Sequence, residues 1–276
     1  MWTLTGFADE ISPELEEQLS TLADESIGYL ELRSVRNKNV LDLTDDEVEE
    51  VKAATSEVGI GVSSIGSPIG KVPVTEDFAP HLERFGRALQ VAKVLEAPYV
   101  RIFSFFIPEG EDPAIYRDEV LERMGILARE AEAAQVTLVH ENEKDIYGDI
   151  PSRCLDILTQ VNSPALRAAW DAANFVQCVV ARPYIEGYEP LRPYIEYVHV
   201  KDALSGSGLV VPAGEGDGEL TETISALHGS GFDGFFSLEP HLASAGTYSG
   251  FSGPELFRKA ARAFKDLLRR QEIEWN

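Results

Sequence analysis

Cysteine is almost absent from this sequence: Cys154 and Cys178 are the only two among 276 residues. So few thiols, without the clustered spacing of a zinc site, exclude a disulfide framework. Both are expected as unpaired side chains in or near the core. Basic residues are also scarce. Against 47 acidic side chains stand 24 basic ones, a formal net charge of −23. So negative a surface repels nucleic-acid phosphates and anionic membranes, which argues against either as a partner. It draws cations instead. With arginine outnumbering lysine 16 to 8, it suits a salt-rich cytoplasm in which screening relieves self-repulsion. No apolar run approaches the roughly 18 residues of a membrane span. The N-terminal MWTLTGFADEIS lacks the basic start and apolar stretch of a secretory signal and reads directly as a strand, so a cytoplasmic location is expected.

Low-complexity segments, long linkers and strong repeats are missing as well. What remains is alternation. Short β-rich runs are expected as strands at Trp2–Phe7, Tyr29–Arg33, Gly59–Ile65 and Tyr99–Ser104, then at Val136–Glu141, Leu166–Asp171, Ile195–Val200 and Phe235–Glu239. Between them lie amphipathic stretches. Pro13–Glu25 carries Leu15, Leu19 and Leu22 at helical spacing, and Asp45–Val58, His81–Leu95 and Tyr116–Ala134 behave alike. The last helix begins near Pro254, with Gly253 before it. Prolines 183, 190 and 193 predict short or broken helices between strands six and seven. Eight such units without a break predict one α/β domain over residues 1–276, a closed (β/α)8 TIM barrel. An open doubly wound sheet would start with a glycine-rich phosphate fingerprint, and GFADEIS is not one.

Barrel active sites gather at the C-terminal ends of the strands. Strand five ends in His140-Glu141-Asn142-Glu143, strand six in Trp170-Asp171, strand seven carries His199, and strand eight ends in Glu239-Pro240-His241. Four consecutive strands thus deliver a carboxylate or imidazole to one rim. Three converging carboxylates would repel one another, and a divalent metal removes that conflict. Glu141, Asp171, His199 and Glu239 are therefore the candidate ligands. Oxygen-rich ligation with one histidine suits Mn²⁺, Mg²⁺, Co²⁺ or Zn²⁺. By the period-two rule His140 points away from Glu141, as a packing residue. Lys201 points the same way as His199, toward a substrate oxygen or a structural acid. Arg101, in strand four, is a candidate for holding a substrate oxygen or pairing with an acid. Glu31 and Glu143 also sit near strand ends. The stretch PAGEGDGE, 212–219, holds three acids, which speaks against anion binding and for a flexible loop at the rim.

The segments LVHEN, WDAAN, YVHVKD, SLEPH and the PAGEGDGE loop resemble those of the xylose-isomerase-like sugar phosphate isomerase/epimerase superfamily. That resemblance covers essentially the whole barrel. It implies metal binding by Glu141, Asp171, His199 and Glu239, most often Mn²⁺, with Glu141 and Glu239 also serving as acid and base. Many relatives have a histidine three residues after the strand-six aspartate; here it is Asn174, which can hydrogen-bond a substrate hydroxyl but cannot carry a proton near neutral pH. The implied function is isomerisation or epimerisation of a small sugar, polyol or sugar phosphate through an enediolate. A dehydratase of a keto-inositol or sugar acid begins with the same proton abstraction. A nuclease acting on abasic DNA is disfavoured by five histidines in all and a net charge of −23. A non-catalytic carbohydrate-binding barrel and a homo-oligomer both stay open.

Overall fold

Eight parallel strands pair side by side in the computed structural model, which describes residues 1–245 and 250–276. They are β1 (Thr3–Gly6), β2 (Tyr29–Leu32), β3 (Gly61–Ile65), β4 (Tyr99–Ile102), β5 (Thr137–Glu141), β6 (Leu166–Asp171), β7 (Ile195–Val200) and β8 (Phe235–Leu238). Their order runs β1-β8-β7-β6-β5-β4-β3-β2, and a parallel bridge between Phe7 and Glu31 brings β1 back to β2. The result is a TIM barrel. All eight strands fall where the alternation places them, β6 and β7 with the expected bounds and the other six trimmed by a residue or two at their ends.

Helices α1 (Leu15–Asp24), α2 (Asp45–Val58), α3 (Phe78–Val94), α4 (Arg117–Ala134) and α5 (Pro151–Val161) fill the intervals through β6. Then come α6 (Ala172–Gln177), α7 (Leu220–Gly229) and α8 (Gly253–Arg270). Local chemistry sets their ends. Thr44 and Glu47 form a reciprocal capping box at the start of α2, and Gly59 closes it in a left-handed turn. In α8, Phe257, Ala260, Phe264 and Leu268 are buried along one stripe, as the spacing requires. The proline-rich interval before β7 is broken, as expected: after α6 come a π turn at Pro183–Tyr188 and short turns to Tyr194. Cys154 and Cys178 are free thiols. Among the described residues no helix is long and apolar enough to cross a membrane.

Period two sorts each strand between two environments. Leu4, Leu30, Val100, Leu138, Trp170, Val198 and Phe236 face the helices and belong to the main apolar core. The alternate positions fill the barrel interior. At its lower end Tyr197 packs with Val139 and Ala169, and Tyr99 and Phe235 lie against them. Above these, Thr5 Oγ1 meets Ser63 Oγ at 2.7 Å, and Ser63 Oγ meets Tyr197 Oη at 2.9 Å. At the C-terminal end the same alternation brings up Glu31, Arg101, Glu141, Asp171 and His199, all buried. Apolar side chains close the bottom of the barrel, and charged ones crowd its top.

Candidate active site

Glu141 closes β5, Asp171 closes β6, His199 is the fifth residue of β7, and Glu239 follows β8 directly. One ligand atom from each lies within 4.8 Å of the others. His199 Nδ1 stands 3.2 Å from Glu141 Oε1 and 3.8 Å from Glu239 Oε2. Ligands held at about 2.0–2.2 Å from one ion stand roughly 3–3.5 Å apart, so these spacings need little adjustment.

Charge points the same way. Glu31, Glu141, Asp171 and Glu239 are buried together with two permanent cations, Arg101 and Lys201. Arg33 Nη1 reaches Glu239 Oε1 at 3.0 Å, but its Nε is committed to Asp9 at 2.8 Å. With His199 also held protonated by its carboxylate neighbours, about one negative charge is left over, and a divalent cation that displaces that proton would neutralise the group. Among the described residues Asp171 Oδ2 and His199 Nδ1, both buried, have no hydrogen-bond partner. The donor set therefore fits a divalent ion.

Lys201 Nζ lies 2.9 Å from Asp171 Oδ2 and 3.0 Å from Glu239 Oε2. The first contact is an ion pair without hydrogen-bond geometry, consistent with the orphaned oxygen. Arg101 Nη1 meets Glu141 Oε2 at 3.1 Å and lies 3.7 Å from Glu239 Oε1, while its Nη2 donates to the carbonyls of Gly66 and Ser67. Both cations thus serve the carboxylates. Asn174 Nδ2 donates to Glu141 Oε1 at 3.1 Å and to the Asn142 carbonyl at 2.8 Å; its backbone N–H donates to Asp171 Oδ1 at 2.8 Å. Asn142 in turn spans the β5–β6 seam, giving to the Asp171 carbonyl and accepting from its N–H.

These contacts set the protonation states. Burial alone would raise the Glu141 carboxyl, yet His199 and Arg101 hold it down at about 2 against Glu239. Glu239 is likewise held well below its ordinary range, burial being outweighed by Lys201 and His241. Asp171 goes the other way: burial lifts it to about 7 despite Lys201. Burial opposes a charged His199, but Glu141 and Glu31 hold its proton well above the ordinary histidine range.

Around this centre the remaining candidates divide. Glu31 Oε2 lies 3.4 Å from His199 Nε2, the nitrogen turned away from the other carboxylates, and so orients the ring. Glu143 pairs with Lys71 at 3.2 Å, outside the ligand group. His140 faces outward, buried beside Gly148, with burial pushing its imidazole down to about 4. The 212–219 loop departs from the expected flexible rim. Backbone N–H groups of Gly214, Gly216 and Gly218 all donate to the Asp202 carboxylate, at 3.0, 3.0 and 2.9 Å. An internal anion occupies the glycine-rich turn, and a Cβ on Gly216 would lie 2.4 Å from Asp202 Oδ1.

Sequence reasoning missed Arg33 and Glu10. Arg33 lies two residues beyond Glu31 and on the same side, a signal that was available. Glu10 follows β1 in a short 3-10 turn, and its Oε2 accepts from the His241 N–H and from Ser252 Oγ. Burial lifts its carboxyl to about 8. A cavity of about 700 Å³ opens above, with Asn174, Lys201 and His241 among its lining residues.

The model of the xylose isomerase-like TIM barrel family matches residues 21–267. A search of curated proteins finds no sequence match. Among solved structures, a D-tagatose 3-epimerase-like protein superposes with a TM-score of 0.78 at 15% identity, covering 98% of both chains. The IOLI protein with a bound zinc atom superposes with a TM-score of 0.77 at 17% identity, covering 97% of this chain and 98% of that one. The probable 3-DHS dehydratase AsbF from Bacillus anthracis does so at 0.74 and 16%, covering 96% and 98%. At these identities the likeness shows the shared fold.

Proposed function

Because the chain belongs to the xylose isomerase-like TIM barrel family, we propose that it is a divalent-metal-dependent enzyme that isomerises or epimerises a small carbohydrate. The observation that carries this reading is the pair of buried glutamates, from strands three apart, flanking one cluster of ligand atoms. Glu141, Asp171, His199 and Glu239 would hold the ion, with Mn²⁺ the first to test and Mg²⁺, Co²⁺ and Zn²⁺ after it.

Carboxylates held this low are ionised but weakly basic, so the substrate C–H must itself be acidified, as a bound divalent ion does by polarising adjacent carbonyl and hydroxyl oxygens. One of the two, Glu141 or Glu239, accepts the proton from the substrate carbon and, now protonated, returns it to the neighbouring carbon; epimerisation requires that the opposite carboxyl has first taken up a proton of its own. Arg101 keeps Glu141 ionised and fixes its direction, while Arg33 and Lys201 do so for Glu239. Lys201 Nζ, at the cavity floor, donates toward the substrate oxygen that gains charge. Asn174 orients a hydroxyl without exchanging protons. Burial of the whole group keeps bulk water from competing for the proton.

The test is deuterium uptake from D₂O by a panel of ketoses and polyol ketones incubated with Mn²⁺-loaded protein, read by mass spectrometry. Glu141→Gln and Glu239→Gln should each retain metal and lose exchange by about 10²-fold or more. Near-native exchange in both variants with metal bound would remove the two-glutamate mechanism. The panel includes keto-inositols and sugar acids, since one similar structure is a probable dehydratase. Loss of water, with one glutamate sufficing, would reassign the site as a lyase.

A further inference from the structure

The two carboxylate oxygens of Glu239 face two different groups. Oε2 looks toward the four-ligand cluster, 3.8 Å from His199 Nδ1 and 3.0 Å from Lys201 Nζ. Oε1 lies 3.3 Å from His241 Nε2, and that same nitrogen lies 3.3 Å from Glu10 Oε1. Ligand atoms of Glu10, Glu239 and His241 thus gather within 4.8 Å of one another, in a second group that shares only Glu239 with the first. The spacing is again that of donors roughly 3–3.5 Å apart around one ion.

The second observation is an orphaned atom. Glu10 is wholly buried, and its Oε2 accepts from the His241 N–H at 2.8 Å and from Ser252 Oγ at 2.9 Å. Those bonds turn Oε1 into the group, where it has no hydrogen-bond partner among the described residues, and His241 Nε2 has none either. Leaving both atoms bare in a buried place is costly unless something sits between them. Arg33 does not fill that role. Its Nη1 donates to Glu239 Oε1 at 3.0 Å, its Nε is taken by Asp9, and its Nη2 stays 4.0 Å from Glu10 Oε1. The imidazole is also clamped in place: His241 sits in the left-handed region at φ +46°, and a Cβ on Gly250 would overlap its ring.

We propose that Glu10, Glu239 and His241 form a second cation site, with Glu239 bridging it to the first. Two carboxylates and one imidazole suit Zn²⁺, and a set of three protein ligands leaves a further position for water or a substrate oxygen. His241 lines the cavity, which gives either of them access. A carboxylate bridge holds two ions about 3.5–4 Å apart, close enough to grip neighbouring oxygens of one substrate. The site deepens the metal-dependent reading above and rests on it only through Glu239. With one ligand fewer, and with Arg33 beside it, it fills after the first.

Calorimetric titration of EDTA-stripped, dialysed protein with Zn²⁺ tests this, with bound zinc counted by atomic emission after desalting. The parent should take up about two ions per chain in two phases. Glu10→Gln keeps an acceptor for Ser252, and His241→Phe keeps a ring against Gly250; circular dichroism checks that both fold. A residue that merely orients a ligand is worth about 10–100-fold in metal affinity, so each change should weaken the second phase by at least about 100-fold and spare the first. One ion in the parent would mean that a shared proton, not a cation, relieves Glu10, and would overturn the site. A second ion retained by both variants would overturn it too, as binding elsewhere on the acidic surface. Either result leaves the four-ligand site standing. Failure of that first site would show instead as a tighter phase that Asp171→Ala leaves unchanged.

Discussion

Replacing Lys201 by Met removes an ammonium that bridges two candidate metal ligands. Its Nζ lies 2.9 Å from Asp171 Oδ2 and 3.0 Å from Glu239 Oε2, and all three side chains are buried. Methionine keeps the length and apolar stem of the side chain, so packing is little changed. What changes is charge: two carboxylates lose their shared partner. Removing one member of a buried pair costs about 3–5 kcal/mol. At about 2 °C per kcal/mol for a chain of this size, the melting temperature should fall by about 6–10 °C in EDTA. Burial lifts the Asp171 carboxyl to about 7 even with Lys201 present, so a protonated Asp171 would mask the effect in acid. Losing Lys201 raises Asp171 further, so the scan is run from about pH 7 to about pH 9, and the deficit should grow with pH as protonation ceases to relieve the pair. A divalent ion bound by the same carboxylates supplies the missing charge. Saturating Mn²⁺ should thus narrow the gap between variant and parent to less than half, and the variant should bind Mn²⁺ more tightly because no ammonium competes. Calorimetric scans with EDTA and with Mn²⁺ read both quantities. An equal gap with and without metal would show that lysine and ion do not share these carboxylates, and the ligand assignment would fall with it.

Two further predictions concern stability away from the ligands. Gly216→Ala places a Cβ 2.4 Å from Asp202 Oδ1 and 2.7 Å from the Ala203 nitrogen, so the 212–219 loop must shift. A loss of about 1–3 kcal/mol and faster proteolysis within the loop should follow, and an unchanged melting temperature and cleavage rate would mean the Asp202 clasp does not hold it. His81 Nε2 accepts the Gly70 N–H at 2.8 Å, and burial, with Arg123 and Arg84 near, pushes its imidazole from 6.5 down to about 4. The folded value is the lower one, so its contribution is present above about pH 6.5 and is lost as pH falls toward 4. Denaturant titrations at pH 7 and pH 4.5 should show the stability gap between parent and His81→Gln shrinking by about 1–2 kcal/mol in acid. A gap that does not change would refute the assignment.

Much of this protein was legible in its residues because local rules leave little freedom. Alternation of β-rich runs with amphipathic stretches predicted the barrel, since each helix must cover one strand and a parallel sheet buried on both faces closes on itself. Period two then decided which side chain of each strand looks inward. Glu141, Asp171, His199, Lys201 and Glu239 could be placed on one rim, and His140 excluded from it, with no knowledge of partners. The partners themselves needed the closed ring. Arg33 lies 206 positions from Glu239, and Glu10 lies 231 from His241, and both meetings depend on how β1 and β2 come round to β8. The glycine-rich loop looked free because nothing local says that Asp202 turns back to take its amide groups. A side chain's direction is set by its own backbone torsions, which neighbouring residues control. The atom it meets is set by strand tilt and closure, which belong to the whole barrel.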